Sequence, residues 1–250
     1  MIDMSAKVVA HFPNTLILWD VDHTLIENGG VSKATYVSAF ELLTGCAPSV
    51  RPATDGRTDF EIMHELLSAN SIDTEKYVEI AQFGGVLVEA MGQNVLQLPH
   101  RGHIPPGVIE VLTVLSAMPT VVQSVLTGNI TSNARAKLNA FDLDGWGDLD
   151  IGGFGSDDTI RSNLVGIARR KALKKYGTTF DQSSTILIGD TPLDIKAARD
   201  GGAKIIAVAT GVYGISQLTE AGADVALDSL ADLDRFMAAL VNLRNDVTLA

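Results

Sequence analysis

Cysteine is almost absent from this chain of 250 residues: Cys46 is the only one. An intrachain disulfide cannot form, and a zinc site built from several thiolates is excluded. A catalytic thiol wants a nearby histidine and an electropositive setting. Neither is visible around Cys46, which reads as a small core residue. Basic residues are also few, 19 Lys and Arg against 30 Asp and Glu, for a net charge of -11. No basic stripe offsets that charge, which disfavours nucleic acid as a partner, and an anionic substrate would need local cations. Long apolar runs are missing as well. No stretch approaches the roughly 20 apolar residues of a membrane span, and Met1–Pro13 has no such run behind a basic flank, so no signal peptide is expected. The expectation is a cytoplasmic protein. Repeats and low-complexity tracts are absent too.

What remains is ordinary globular composition, 46% apolar, in a chain sized for one large domain or two smaller ones. Short β-branched, nearly all-apolar runs occur at Thr15–Trp19, Val121–Leu126, Thr185–Ile188 and Lys204–Val208. They have the form of strands buried on both faces of a parallel sheet. Between them lie helical patterns at Val108–Ala117, Ser132–Asn139, Ser162–Tyr176 and Leu193–Asp200, punctuated by proline ahead or glycine behind. Strand alternating with helix predicts an α/β fold with a doubly wound parallel sheet, a Rossmann-like core. From about Gly30 to Leu98 the alternation stops. Only helix patterns stand there, at Lys33–Leu43, Asp59–Ala69 and Thr74–Met91, followed by a return linker from Leu98 to Pro106. The reading is an inserted α-helical cap domain, residues 29–103, in a core formed by residues 1–28 and 104–250. A final amphipathic helix follows Leu227.

Acidic residues gather at the predicted strand ends. The first strand runs into Asp20-Val-Asp22, and a period of 2 points both carboxylates the same way. The run Thr185–Ile188 leads into Gly189-Asp190-Thr-Pro-Leu-Asp194. Ligands bind outside the carboxyl ends of strands in such sheets, so four acids would converge on one site. Taken alone, Asp-x-Asp is a common turn sequence, and Asp194 is a suitable helix cap. Together, crowded carboxylates repel, and a divalent cation relieves them; an all-oxygen set suits Mg2+. The second strand ends in Leu126-Thr127-Gly128-Asn129 ahead of a helix. That is either a plain cap or a phosphate cradle of hydroxyl and backbone N–H groups, and beside the aspartates the cradle is favoured. For the phosphate-binding cation, Arg161 stands at a strand–helix junction and its fork suits phosphate oxygens. Lys171 is the fallback.

Asp20-Val-Asp-His-Thr-Leu25, Leu126-Thr-Gly-Asn129 and Gly189-Asp-Thr-Pro-Leu-Asp194, in that order, resemble the first, second and fourth motifs of the haloacid dehalogenase superfamily. The insertion resembles the helical cap of its phosphoglycolate-phosphatase-like branch. The resemblance implies a magnesium-dependent phosphatase acting on a small phosphorylated metabolite. Asp20 would be the nucleophile that becomes an aspartyl-phosphate, and Asp22 the general acid/base, its backbone carbonyl a metal ligand. Thr127 would hold the phosphoryl group, with Gly128 and Asn129 beside it. Asp190 would ligate Mg2+, and Asp194 would ligate or orient that shell. The family's third motif is usually a lysine; here Arg161 stands in for it. The residue after Asp22 is commonly glycine and here is His23, which could narrow the entrance, contact substrate or simply pack.

Other readings fit less well. A 2-haloacid dehalogenase needs no metal and typically lacks the second acid of the first motif, and a phosphonate hydrolase replaces that acid. A phosphosugar mutase shares all these residues and differs in the cap. A non-catalytic phosphate sensor would have lost an essential acid. Gly152-Gly-Phe-Gly155 lacks the spacing of a dinucleotide-binding loop. In the cap, Thr54-Asp-Gly-Arg-Thr-Asp59 is a turn into a helix, with Thr58 or Asp59 as N-cap and Arg57 as a candidate contact for a distal anionic group. His100 and His103 read as solvated hinge residues rather than metal ligands.

Overall fold

The structure, a computed structural model, describes residues 14–74 and 80–245. The expectations for Met1–Pro13 and for residues 75–79 of the Thr74–Met91 helix fall outside the described residues. Six parallel strands form one sheet: β1 (Thr15–Trp19), β2 (Val121–Thr127), β3 (Gly153–Phe154), β4 (Thr185–Gly189), β5 (Lys204–Val208) and β6 (Val225–Leu227). Their order is β3-β2-β1-β4-β5-β6. The chain therefore builds outward from β1 in one direction and then returns to its other side at β4. This reversal opens the crevice where doubly wound sheets bind ligands.

The sheet is covered on both faces. Ile17 and Trp19 of β1 join one buried cluster, Leu16 and Leu18 the other, as strand alternation requires. Helix α5 (Val108–Ser116) leads into β2, and α6 (Thr131–Asn139), α7 (Arg161–Tyr176), α8 (Pro192–Gly201), α9 (Ile215–Glu220) and α10 (Leu233–Asn245) follow β2 to β6 in turn. Trp19 anchors the first face: its ring stacks on Phe236 at 6.1 Å and its Nε1 donates to Gln123 Oε1 at 3.1 Å.

Strands β3 and β6 lie where no strand was expected. β3 has two residues inside a glycine-rich stretch that reads as a turn, yet Gly153 and Phe154 register with Leu126 and Thr127. β6 has three residues, too few for a period to show, and is recruited by its partner β5.

Between β1 and β2 lie α1 (Val31–Thr44), α2 (Asp59–Ala69), α3 (Ile80–Asn94) and a single turn α4 (Leu98–Arg101). They share a separate buried cluster of Tyr36, Phe40, Phe60, Met63, Leu67 and Leu87, which reaches the sheet layer through Ile130. The predicted return linker is helical in its first half. The incoming and outgoing chains of this insert are pinned by paired backbone hydrogen bonds, Glu27 N to His103 O at 2.8 Å and His103 N to Glu27 O at 2.9 Å. A Cβ on Gly102 would lie 2.1 Å from Glu27 O, so only glycine lets the two chains cross this closely. The side chains of His100 and His103 are exposed.

Cys46 is not a core residue. It follows the C-cap Gly45 of α1 in an exposed loop, with its backbone N–H on Thr44 Oγ1. Once α1 ends, no apolar face remains to bury it.

Candidate active site

Each acid is placed by the backbone that carries it. Asp20 directly follows β1 and Asp190 directly follows β4, its paired neighbour. Asp194 is the third residue of α8, in a reciprocal cap with Thr191: Thr191 Oγ1 donates to Asp194 Oδ2 at 2.7 Å, and Asp194 N donates back to Thr191 Oγ1 at 3.2 Å. Among the described residues, these three acids bring carboxylate oxygens within 4.8 Å of one another, and all three are buried. Arg161, the first residue of α7, is the cation that meets them. Its Nη2 donates to Asp20 Oδ1 at 2.8 Å and also to Asp194 Oδ1, while Nη1 reaches Gly56 O at 3.3 Å. Lys171 is not an alternative: its ammonium is spent on Asp157 and Gly152 O.

The fourth acid does not join them. Asp22 lies beyond the end of β1, where strand alternation no longer applies, and its carboxylate turns to Lys137, whose Nζ lies 2.9 and 2.7 Å from the two oxygens. Asn28 Nδ2 and Ser32 Oγ donate to Oδ1 at 2.8 and 3.0 Å, and Asn129 Nδ2 to Oδ2 at 2.8 Å. Asn129 is thus held by Asp22, Thr127 and Lys137, and with Thr127 and Gly128 it borders the cavity described below. Thr127 is fully buried at the tip of β2, its Oγ1 accepting from Asn129 N and Nδ2.

Lys137 is the functional candidate that motif reasoning missed. Asn133, Ala134, Lys137 and Leu138 form the buried face of α6, and a lysine in that i, i+3, i+4 row was the available signal.

Electrostatics separate the acids. Burial pushes the Asp20 carboxyl up to about 7; Arg161 opposes this, and Asp194 and Asp22 add to it. Asp190 is raised well above the carboxylate range, first by burial and then by Asp194 and Asp20. For Asp22 the burial penalty is outweighed by the Lys137 ammonium and the surrounding donors, which hold it well below the usual range.

The helical insert lies over these groups. Asp59 N donates to Gly128 O at 2.8 Å, and a Cβ on Gly128 would lie 2.0 Å from Arg57 O. Under this contact is a small cavity of about 40 Å³ touched by Asp20, Asp22, Ser32, Tyr36, Thr127 and Asp190. His23 and Arg57 also border it, but His23 Nδ1 sits 2.6 Å from Glu27 Oε2 and the Arg57 guanidinium pairs with Glu65. His23 has φ of 61°, the left-handed region, which accounts for the fit of glycine at this position.

Thr58, not Asp59, caps α2, in a capping box with Glu61. Asp59 instead accepts from Tyr36 Oη at 2.5 Å and from Ile130 N at 2.8 Å. Its burial pushes the carboxyl up to about 6, against the lowering effects of Lys137, Tyr36 and the Ile130 N–H. The folded protein therefore holds this proton more tightly than the unfolded chain, and stability falls as pH rises from about 4 to about 6. Asp59→Asn keeps an acceptor for Ile130 and removes the buried charge. We expect it to raise unfolding free energy at pH 8 by about 1–3 kcal/mol, with the gain vanishing below pH 4.5. Urea titrations at the two pH values measure both.

Comparison with known proteins agrees with this architecture. The HAD-hydrolase-like family model matches residues 165–233. A protein described as "Probable phosphatase IndB", from Dickeya dadantii (strain 3937), is 25% identical over 230 residues, covering 91% of this chain and 95% of that protein. The chain is similar to haloacid dehalogenase-like hydrolases. Two solved structures share this fold. A predicted phosphatase from Clostridium acetobutylicum superposes with a TM-score of 0.66 at 15% identity, over 92% of this chain and 99% of that one. A predicted phosphoglycolate phosphatase from Haemophilus somnus 129pt superposes with a TM-score of 0.63 at 18% identity, over 89% and 97%. No helix among the described residues is long and apolar enough to cross a membrane.

Proposed function

We propose that this chain is a magnesium-dependent phosphatase that cleaves small phosphomonoesters through an aspartyl-phosphate on Asp20, with residues 29–103 acting as its cap. The observation that carries the reading is the Asp20–Asp190–Asp194 cluster held by a single arginine beneath the insert. Once ionised, three carboxylates against one guanidinium would leave two negative charges uncompensated in a buried site. A hard divalent cation fits that charge and an all-oxygen donor set. Asp20 and Asp190, with the Asp22 carbonyl, would hold it. Asp194, with both oxygens engaged by Arg161 and Thr191, orients the shell. When bound, Mg2+ neutralises charge on the phosphoryl oxygens.

The chain's own residues then account for the chemistry. The free oxygen of Asp20 attacks phosphorus, and the P–O bond to the leaving alcohol breaks. Arg161 fixes the Asp20 carboxylate and faces the equatorial oxygens, and the Thr127 hydroxyl donates to one of them. Asp22 gives a proton to the departing alkoxide, then takes one from the water that cleaves the acyl phosphate. An arriving phosphate dianion would raise the pKa of the adjacent Asp22, offsetting the pull of Lys137. The insert keeps bulk water out of the small cavity.

A panel of small phosphomonoesters assayed for phosphate release with and without Mg2+ tests this. Metal-dependent release is expected. Halide release from 2-haloacids without metal would instead make the chain a dehalogenase.

Metal binding also has a pH signature. With Asp20 near 7 and Asp190 raised, the metal-free native state holds protons that the unfolded chain has lost. Its stability therefore drops as pH rises from about 4 to 7. Mg2+ must displace those protons, so added Mg2+ should raise Tm more at pH 8 than at pH 6. Scanning calorimetry with and without 5–10 mM metal (about that range suffices for a weak site) would show it, and equal shifts would count against metal at these acids.

A further inference from the structure

Lys137 touches neither substrate nor metal ligand set in the chemistry described so far and enters it only through Asp22, yet it is 1% exposed in the middle of the site. Its three polar contacts are the two oxygens of Asp22 and, at 2.6 Å, Asn129 Oδ1. We propose that Lys137 is a positioning residue for Asp22, clamping the carboxylate over the cavity and apart from the Asp20–Asp190–Asp194 cluster.

The geometry argues this in three steps. First, Asp22 stands two residues from Asp20, beside a cluster of uncompensated acids; without a cation of its own it would be a fourth repelling charge there. Second, Lys137 reaches both of its oxygens, while Asn28, Ser32 and Asn129 each hold one. A carboxylate gripped on both oxygens has no free rotation about its side-chain bonds, and its position relative to an incoming leaving group is set in advance. Third, these donors come from both layers of the molecule. Asn129 and Lys137 belong to the β2–α6 connection and to α6, and Ser32 to α1 of the insert. The orientation of Asp22 therefore depends on the insert being seated, and Lys137 supplies the part of the clamp that stays with the sheet. Fold stability is a poor alternative explanation. A buried ion pair is commonly no better than apolar residues of the same volume, and Ala134 and Leu138 already make this face of α6 apolar.

The proposal rests on the phosphatase reading, and the test separates the two. Lys137→Met, Asp22→Asn and the double variant are assayed with Mg2+ on p-nitrophenyl phosphate and on the fastest alkyl phosphate of the panel. An alkoxide needs a proton as it leaves; p-nitrophenolate does not. Lys137→Met should lower kcat/KM for the alkyl ester by about 100-fold and for the aryl ester by less than about 10-fold. In the Asp22→Asn background, adding Lys137→Met should change kcat/KM by less than about threefold, because a residue acting only through Asp22 has nothing left to position. An equal fall on both esters, or independent losses that multiply in the double variant, would overturn the proposal. If Lys137→Met does not fold, the comparison of Asp22→Asn with the double variant still decides, since the double variant buries neither charge of the pair. If the native chain cleaves neither ester, the phosphatase reading fails first, and a crystal structure of Lys137→Met takes over. An Asp22 side chain turned away from Asn129 and Ser32 supports the clamp; an unmoved one refutes it.

Discussion

Replacing Asp20 by Asn should lower phosphate release by about a thousandfold or more while leaving the protein folded. The carboxamide matches the carboxylate in size and can still accept from Arg161 Nη2, so the packing beyond β1 is preserved. It cannot attack phosphorus and survive as an acyl phosphate. The stability expectation runs opposite to the activity. Burial holds the native Asp20 carboxyl near 7, so at pH 8 the ionised form opposes folding. The Asn variant is free of that opposition and should melt no lower than the native chain at pH 8 without metal. Its response to Mg2+ should shrink, because one of three clustered acids is gone. Lost activity with an intact Tm identifies a chemical role; undiminished phosphate release would remove Asp20 as nucleophile and the covalent mechanism with it.

The scaffold of this site is legible in the sequence because it depends on local pattern. Thr15–Trp19 and Thr185–Gly189 are nearly continuous apolar runs, and a strand buried on both faces has no other way to look. The acids at their tips follow from chain order. Arg161 could be chosen over Lys171 because it opens its helix, where the sheet's carboxyl edge lies, whereas Lys171 is several turns further on. What the sequence hides is side-chain direction beyond the last strand residue. Asp20 and Asp22 share a period only while the strand lasts, and β1 ends at Trp19, so one acid meets Arg161 and the other Lys137. The two short strands β3 and β6 exist because a neighbour supplies their hydrogen bonds, which no window of their own residues encodes. Cys46 failed as a core residue for a related reason: composition ranks cysteine as buried, but its place just after a glycine C-cap decides exposure.

Arg161 is where stability and catalysis meet, and its replacement should be costly on both counts. The guanidinium is 9% exposed and touches Asp20 and Asp194. Arg161→Ala leaves those buried carboxylates with no cation, which costs about 3–5 kcal/mol by the usual penalty for breaking one half of a buried pair. For a chain of this size that is a Tm loss of roughly 10 °C at pH 8. The loss should be smaller at pH 5, because an acid deprived of its cation takes up a proton: Asp20, already near 7, rises further and becomes neutral. Mg2+ should return part of the lost stability by supplying positive charge to the same oxygens. It cannot return the catalytic contribution, so kcat should remain down by about a thousandfold. Arg161→Lys separates charge from shape. The ammonium can hold Asp20 or Asp194, but not both together with Gly56 O, the bond that ties the loop before α2 to the core. The lysine variant should therefore keep most of its melting temperature and lose about tenfold in kcat/KM. An alanine variant as active as the native chain would mean that charge on the phosphoryl oxygens is neutralised elsewhere, and Arg161 would then be only the counter-ion of a crowded fold.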